Sequence, residues 1–258
     1  MNIVIKSAIF TIVSVIIIYA LYTANNLRLL QILINPLIPP TESKLKLTNV
    51  SAFKQLALTF ETDKVTTHHY ERMYEKYLSN YKNSHIKFLE IGLGCQQPVI
   101  GSSARLWRSF FGPFAEINII EYDKNCGEAW YEKYGKKLNI TVHYGDQANE
   151  KFLQTIIKKL HSFDVIVDDG GHMMIQQITS FKTLLPSVRS GGHYIIEDLL
   201  TSYMSEFAGK YMDPSTTIEF IKRLVDDIQE KSPKKLTNIG SMLFSFEISD
   251  EICVFNVK

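Results

Sequence analysis

Acidic residues and a histidine follow two short apolar runs of the chain, at the point where each run ends. The first run leads into Asp168, Asp169 and, across two glycines, His172, and the second leads into Glu197 and Asp198. Carboxylates held close together repel one another unless protons or a cation intervene, and a divalent ion such as Mg²⁺ is their natural partner. The pattern indicates a metal site, although acids in these positions also cap helices or face solvent.

The two apolar runs are the elements that must position these side chains. Asp164–Val167 and His193–Ile196 are short and rich in β-branched residues, which is typical of strands buried on both faces of a parallel sheet. In open α/β sheets, ligands bind in the crevice outside the carboxyl ends of the strands. Neighbouring strands would therefore bring the four carboxylates and the imidazole to one rim.

A glycine-containing loop follows an earlier apolar run, Lys87–Ile91. Gly92 and Gly94 allow a tight turn and a close approach of the backbone to a ligand, but the third glycine of the dinucleotide-binding spacing is absent. Glu90 lies inside the apolar run, where a buried acid requires a partner. In a nucleotide pocket, this acid can help to hold a cationic ligand.

Two further acids follow the next predicted strands. Glu121 comes after Glu116–Ile120, where a parallel nucleotide-binding fold reaches both hydroxyls of an adenosine ribose. Asp146 follows the strand Ile140–His143, and an aspartate at that point can accept a hydrogen bond from an adenine amino group.

The remaining periodicity predicts helices between these strands and a hairpin at the end. The helices are predicted over Ser51–Phe60, Thr67–Tyr81, Ser102–Phe111, Cys126–Lys136, Asn149–Leu160, Ile175–Leu185 and Ser215–Glu230, and the terminal strands over Met242–Ile248 and Ile252–Val257. This order predicts a doubly wound α/β fold with a mostly parallel sheet and a C-terminal antiparallel hairpin. The Thr67–Tyr81 helix, rich in tyrosine and histidine, is either a lid over a ligand or an amphipathic helix on the sheet edge.

The amino terminus predicts a membrane anchor. Ile3–Tyr22 is almost wholly apolar, and about 20 such residues span a bilayer. A cleaved signal peptide is the rival, but bulky residues occupy the expected cleavage zone. We expect an uncleaved single-pass signal-anchor at 1–24, a stem at 25–50, a helical lid segment at 51–86 and the catalytic domain at 87–258. With a cytosolic amino terminus the domain is lumenal, in the endoplasmic reticulum or Golgi, and Asn49 and Asn139 become glycosylation acceptors.

The composition is that of an ordinary globular protein. The 258 residues are 45% hydrophobic and 21% charged, with a formal net charge of +1, which gives no argument for a nucleic-acid partner. Three cysteines are too few for a disulfide framework. Cys95 and Cys126 each follow a predicted strand and could pair in an oxidising compartment, but we expect these two and Cys253 to be unpaired thiols. The oligomeric state stays open, with a homo-oligomer among the options.

Six motifs make the chain resemble a known family, the class I S-adenosylmethionine-dependent methyltransferases with a Rossmann-like fold. Within that class it is similar to the magnesium-dependent macrolide-sugar O-methyltransferases of the mycinamicin and macrocin type. The motifs are Thr62–Lys64, Leu89–Gly94, Gly145–Gln147, Val167–His172, Tyr194–Tyr203 and Thr216–Asp226. Cys95, Glu121–Asp123 and the anchor look more like fungal relatives of that group. Gly171 departs from the usual serine, and the anchor departs from the soluble antibiotic enzymes.

The resemblance implies a role for each matching residue. Asp169, Glu197 and Asp198 would hold the divalent cation, and His172 would be the general base. Residues of the S-adenosylmethionine pocket would be Glu90, Gly92, Gly94, Glu121, Asp146, Gln147 and Asp168. The implied reaction moves a methyl group from S-adenosylmethionine to a hydroxyl of a sugar or glycoconjugate. An imidazole has an unperturbed pKa of about 6.5 and can accept the proton of such a hydroxyl.

Two other functions remain open from the sequence. An NAD-dependent oxidoreductase would explain the glycine loop and Glu121, but not the missing third glycine or the paired acidic strand ends. A membrane-anchored, catalytically inactive binding protein could also retain the fold, since fold does not determine function. Titration with S-adenosylmethionine against NAD separates the methyltransferase from the oxidoreductase. Turnover with and without magnesium separates the methyltransferase from the inactive binding protein.

Overall fold

A computed structural model describes residues 51–235 and 237–258. The predicted anchor and stem, at 1–50, lie outside these residues and stay predictions. Within the described part of the chain, no helix combines the length and the apolar character needed to cross a membrane. Residues 51–258 form one compact unit.

A single seven-stranded sheet organises this unit. In chain order the strands are β1 Lys87–Ile91, β2 Glu116–Glu121, β3 Ile140–Tyr144, β4 Phe163–Asp168, β5 Val188–Ile196, β6 Leu243–Ser249 and β7 Ile252–Val257. Their spatial order is β3-β2-β1-β4-β5-β7-β6. The first five strands pair in parallel, while β7 runs antiparallel to both β5 and β6. The predicted doubly wound sheet with a terminal hairpin is confirmed.

In the described residues, seven helices of 7 to 12 residues precede the sheet or cover its faces. They are α1 Ala52–Leu58, α2 Glu71–Leu78, α3 Ser102–Phe111, α4 Lys124–Trp130, α5 Glu150–Leu160, α6 Met174–Leu184 and α7 Thr217–Ile228. The turn Tyr131–Gly135 and the short helix Lys136–Leu138 extend α4. The main departure from prediction is α2, which begins at Glu71 and not at Thr67. It ends at Leu78, and Ser79–Tyr81 continues as a 3-10 turn, while Asp63–Val65 forms a separate 3-10 turn earlier in the chain.

Apolar clusters cover both faces of the sheet. Neighbouring residues of one strand point to opposite faces. Phe88 belongs to an apolar cluster on one face and Leu89 to a second cluster on the other. The first cluster also contains α1 and α2, whose Phe53 and Tyr74 rings lie 5.8 and 5.0 Å from the ring of Trp107 in α3. The segment before the sheet is therefore anchored to α3 by aromatic packing.

The strand order changes direction between β1 and β4, which is where such folds form a ligand crevice. The connection after β1 runs outward to α3 beside β2, whereas the connection after β4 runs to α6 on the side of β5. The glycine loop that follows Ile91 and the acidic loop that follows Asp168 therefore border the same crevice.

Cys95 and Cys126 form a disulfide, with their Cα atoms 6.1 Å apart. The expectation that they are unpaired is wrong. Strands β1 and β2 are adjacent and parallel, so the loop after β1 and the helix after β2 start side by side at one sheet edge. Cys253 is buried in β7 as a free thiol, as expected.

Candidate functional site

A cleft of about 520 Å³ opens at the carboxyl ends of β1, β2, β3 and β4. It brings together most of the residues that the sequence predicts for the site. Those that line it are Gly92, Gly94, Glu121, Asp146, Gln147, Asp169, His172 and Asp198. Glu90, Asp168 and Glu197 are buried and do not line it.

Gly92 is required by the close approach of two loops. Its φ is +101°, a conformation that L side chains rarely adopt. A Cβ atom at this position would also overlap the carbonyl oxygen of Asp169. The amide of Asp169 donates to the carbonyl of Ile91 at 3.0 Å. The glycine therefore allows the acidic loop after β4 to lie directly against the end of β1.

Glu121 joins two walls of the cleft. One carboxylate oxygen accepts from the amide of Leu93 at 3.0 Å and the other from the amide of Asp123 at 2.7 Å. Both oxygens thus already have backbone donors, and they connect the loop after β1 to the start of α4. Glu121 also lines the cleft, and its predicted reach to ribose hydroxyls stays a prediction.

Gln147 and Asp168 brace the loop that carries the acidic motif. The Gln147 side-chain amide donates to Asp168 at 2.9 Å and accepts from the amide of Gly171 at 2.8 Å. Asp168 also accepts from Ser180 and, at 3.2 Å, from the Tyr194 hydroxyl. Burial raises the pKa of Asp168 to about 6 despite these donors. The structure gives Asp168 an internal bracing role, whereas Asp146 faces the cleft.

Glu90 lies beneath the cleft and is fully buried. It accepts from the Trp107 indole at 2.8 Å and from the Ser103 hydroxyl at 3.0 Å. Burial raises its pKa to about 7, although the Lys64 ammonium at 4.0 Å opposes that rise. Glu90 therefore has the partners that a buried acid requires: two hydrogen-bond donors from α3 and a nearby cation.

Asp169, His172 and Asp198 converge at the cleft rim. The Nε2 atom of His172 lies 3.2 Å from Oδ2 of Asp198 and 3.9 Å from Oδ1 of Asp169. One ligand atom from each of the three residues lies within 4.8 Å of the others. His172 and Asp198 have φ values of +58° and +54°, and such backbone strain is common at functional sites. The predicted juxtaposition of the two acidic strand ends is confirmed for these three side chains.

Glu197 points away from that group and into the protein. Both of its carboxylate oxygens lie 2.8 Å from the Lys64 ammonium, and the Tyr74 hydroxyl donates to one of them. Burial and then the charge of Asp169 raise the pKa of Glu197, while Lys64 opposes the rise. The assignment of Glu197 to a metal site stays a prediction, because the structure does not bring it into the group formed by the other three residues.

The segment between α1 and α2 supplies the donors that orient these acids. Lys64 contacts Asp169 as well as Glu197. Burial lowers the pKa of Lys64, but attraction to Asp169, Glu197 and Glu90 outweighs it, so the pKa lies well above its usual value. The Tyr70 hydroxyl donates to Oδ1 of Asp198 at 2.8 Å. One oxygen each of Asp169 and Asp198 is thereby held from this segment, and the other faces His172.

His68 extends this set of contacts to the terminal hairpin. Its Nδ1 lies 2.5 Å from Glu251, and its Nε2 lies 3.5 Å from Oδ1 of Asp198. The sequence identified this tyrosine- and histidine-rich stretch only as a lid or an edge helix. It gave no role to Lys64, although that lysine belongs to one of the quoted motifs. The signal that could have found it is a lysine between buried positions, which requires acidic partners.

The rim fits a divalent cation by the chemistry of its donors. Asp169 and Asp198 each keep one carboxylate oxygen toward His172 while the other is held by Lys64 or Tyr70. Carboxylate oxygens are the ligands that Mg²⁺ prefers, and a site with two carboxylates leaves room for water or substrate oxygens. The imidazole also suits other divalent metals.

Comparisons with known proteins agree with the motifs. No family model matches the chain. The chain is 34% identical over 172 residues to the mycinamicin VI 2''-O-methyltransferase of Micromonospora griseorubida, which covers 64% of this chain and 40% of that enzyme. It is 34% identical over 170 residues to the demethylmacrocin O-methyltransferase of Streptomyces fradiae, which covers 64% of this chain and 41% of that enzyme. The chain thus spans about two fifths of the length of these curated relatives.

A solved structure has the same fold. The MycE methyltransferase of the mycinamycin biosynthetic pathway, in complex with Mg, SAH and mycinamycin VI, superposes with a TM-score of 0.71 and 28% identity. The match covers 81% of this chain and 54% of that chain. The resemblance predicted from the motifs is confirmed: the relatives of this chain are macrolide-sugar O-methyltransferases, and its fold is that of the class I S-adenosylmethionine-dependent methyltransferases.

Proposed function

We propose that this protein is a metal-dependent O-methyltransferase that moves a methyl group from S-adenosylmethionine to a hydroxyl of a sugar or glycoconjugate. The observation that carries the proposal is the convergence of Asp169, His172 and Asp198 within 4.8 Å at the rim of a cleft that Gly92 and Glu121 also line. A rim that could hold a divalent cation, beside a nucleotide-type pocket, fits methyl transfer to a hydroxyl.

The donor would occupy the part of the cleft between the ends of β1, β2 and β3. Gly92 allows close approach of the backbone there, and Glu121 and Asp146 present carboxylates at the ends of the next two strands. These acids can accept from the hydroxyl and amino groups of an adenosine. The acidic rim also suits the positive charge of a sulfonium, since opposite charges at close range stabilise each other.

Asp169 and Asp198 would hold the cation, with Glu197 as the third residue predicted for that role. When bound, a divalent metal supplies a Lewis acid that lowers the pKa of a coordinated hydroxyl. The donors from Lys64 and Tyr70 hold these carboxylates at a defined orientation before any ligand enters. Pre-orientation of this kind favours catalysis because less reorganisation is needed during the reaction.

His172 would take the proton from the acceptor hydroxyl. It lines the cleft, and its Nε2 atom faces Asp198 and Asp169. The ring also packs edge-on against Phe207, with 6.3 Å between the ring centres, and this contact limits the orientations that the imidazole can adopt. Much of the remaining acceleration would come from holding donor and acceptor in contact.

The acceptor class rests on the relatives. The mycinamicin and macrocin enzymes are named for methylation at oxygen, and the MycE complex contains mycinamycin VI. The segment that carries His68 and Tyr70 reaches the metal-binding rim in this chain, so residues of that segment would face the acceptor. We therefore propose a glycosyl hydroxyl as the acceptor, without assigning its aglycone.

The proposal is tested by calorimetric titration of the 258-residue chain with S-adenosylhomocysteine, with and without Mg²⁺, and with NAD as the competing ligand. We expect saturable binding of S-adenosylhomocysteine and none of NAD. Methyl transfer to a panel of glycosides should require a divalent cation. A folded protein that binds S-adenosylhomocysteine but shows metal-independent transfer would contradict the metal role. A folded protein that does not bind it would support the inactive binding protein instead.

A further inference from the structure

The loop between β1 and α3, residues 92–101, forms one wall of the proposed donor pocket. Gly94, Cys95, Gln96, Gln97 and Val99 all line the cleft. Gln96, Gln97 and Pro98 are exposed, and the segment has no regular secondary structure. A loop of this kind has a low local stability unless something fastens it.

Hydrogen bonds and one covalent bond fasten this loop to β2 and to α4, the helix that follows β2. At its start the amide of Leu93 donates to Glu121 at 3.0 Å. At its end the carbonyl of Ile100 accepts from the indole of Trp130 at 3.2 Å. Between these two hydrogen bonds the connection is covalent, through the disulfide from Cys95 to Cys126.

The disulfide holds the part of the loop that the hydrogen bonds do not. Within 94–100, the backbone bond from Gln97 to Gly94, at 2.9 Å, is local and does not tie the loop to another element. Cys126 lies in the first turn of α4, whose cap is Asp123, and the Asp123 amide donates to Glu121. The disulfide therefore ties the middle of the exposed loop to the same helix start that Glu121 orients.

We propose that the Cys95–Cys126 disulfide positions the donor-binding loop, so that donor affinity depends on the oxidation state of these two cysteines. This inference rests on the proposed function, because it concerns the pocket assigned to the methyl donor. Neither cysteine is fully buried, so a reductant can reach the bond. Reduction by a dithiol transfers two electrons and two protons to the bond, gives two cysteine thiols, and leaves the dithiol as its own disulfide.

Freeing the loop lowers the fraction of molecules that can bind the donor. If the freed loop adopts its binding arrangement about one tenth of the time, the apparent Kd for the donor rises about tenfold. The metal-binding rim lies on the loops after β4 and β5, which the disulfide does not touch. The concentration of Mg²⁺ needed for half-maximal activity should therefore stay the same.

The test is calorimetric titration of the 258-residue chain with S-adenosylhomocysteine before and after treatment with dithiothreitol, with the thiols counted by alkylation and mass spectrometry. We expect about tenfold weaker binding after reduction, a higher KM for S-adenosylmethionine, and an unchanged kcat at saturating donor. Far-UV circular dichroism should show that the reduced protein remains folded at the assay temperature.

Two variants serve as controls. The double variant C95S/C126S should bind as weakly as the reduced protein and show no response to dithiothreitol. Cys253→Ser removes the buried thiol of β7 and should keep the full response. Equal affinity of the oxidised and reduced proteins for S-adenosylhomocysteine would overturn this inference alone. Absence of binding to the oxidised protein would overturn the proposed function and this inference together.

Discussion

The ammonium of Lys64 lies 2.8 Å from both carboxylate oxygens of Glu197, and both side chains are almost completely buried. The two residues are 133 positions apart in the chain. Lys64 comes from the segment that precedes the sheet, and Glu197 from the end of β5. This ion pair therefore joins that segment to the sheet at the point where the rim carboxylates are oriented.

Replacing Lys64 tests how much this buried cation contributes. In Lys64→Met, Glu90, Asp169 and Glu197 lose their common counter-charge. Removing one partner of a buried pair costs about 3–5 kcal/mol, and we expect a loss of that order in the free energy of unfolding by urea. Lys54→Met is the matched control, because Lys54 pairs with Glu71 in a more exposed setting, and such pairs contribute about 0–1 kcal/mol. Equal losses in the two variants would contradict the role of Lys64.

His172→Ala tests the general base. We expect methyl transfer to fall by about 10²–10⁴-fold, the usual contribution of a positioned base. The affinity for S-adenosylhomocysteine should change little, because His172 lies at the rim beside Asp198 and away from Glu121 and Asp146. Single-turnover transfer and calorimetry measure the two effects. A large loss of donor affinity would remove His172 from this role.

Asp169→Asn tests the metal site. The amide keeps the shape of the carboxylate but removes its charge, so a cation is held less strongly. We expect the concentration of Mg²⁺ required for half-maximal transfer to rise, with donor affinity unchanged at saturating Mg²⁺. Asp146→Asn is the matched control at the other end of the cleft; it should weaken donor binding and leave the Mg²⁺ requirement unaltered. An unchanged requirement in Asp169→Asn would place the cation elsewhere.

His143 predicts a pH dependence of stability that is independent of the site. It is buried in β3, its Nε2 lies 3.0 Å from the Asn118 side-chain oxygen, and burial lowers its pKa to about 4. His143 in the unfolded chain takes up a proton at higher pH than it does in the folded protein. Its contribution to the free energy of unfolding is therefore complete above about pH 6.5, where the imidazole is neutral in both states. The contribution is lost as the pH falls toward 4.

His143→Gln should remove that loss. Between pH 7 and pH 4.5, the free energy of unfolding of the unmodified protein should fall by about 1–3 kcal/mol relative to the variant. Urea unfolding at a series of pH values measures the difference. A difference that does not vary with pH would show that His143 titrates alike in the folded and unfolded states.

Local patterns in the sequence determined most of the fold. The apolar runs of β1 to β5, with helices between them, predicted the parallel sheet because period and length are local properties. The acids at the ends of β4 and β5 also predicted the meeting of Asp169, His172 and Asp198, because parallel neighbours end at one edge. The membrane anchor predicted at 1–24 lies outside the described residues and stays a prediction.

Only the tertiary structure decided which side chains hold those acids. Lys64, Tyr70 and Tyr74 come from a segment whose own sequence does not specify where it packs, and its position follows from the packing of Phe53 and Tyr74 against Trp107. The disulfide between Cys95 and Cys126 likewise depends on the adjacency of β1 and β2, because the two cysteines are 31 residues apart in the chain. Asp168 and Glu197 are buried for the same reason. Which face of a strand end is buried depends on neighbours distant in the chain, and no local pattern records them.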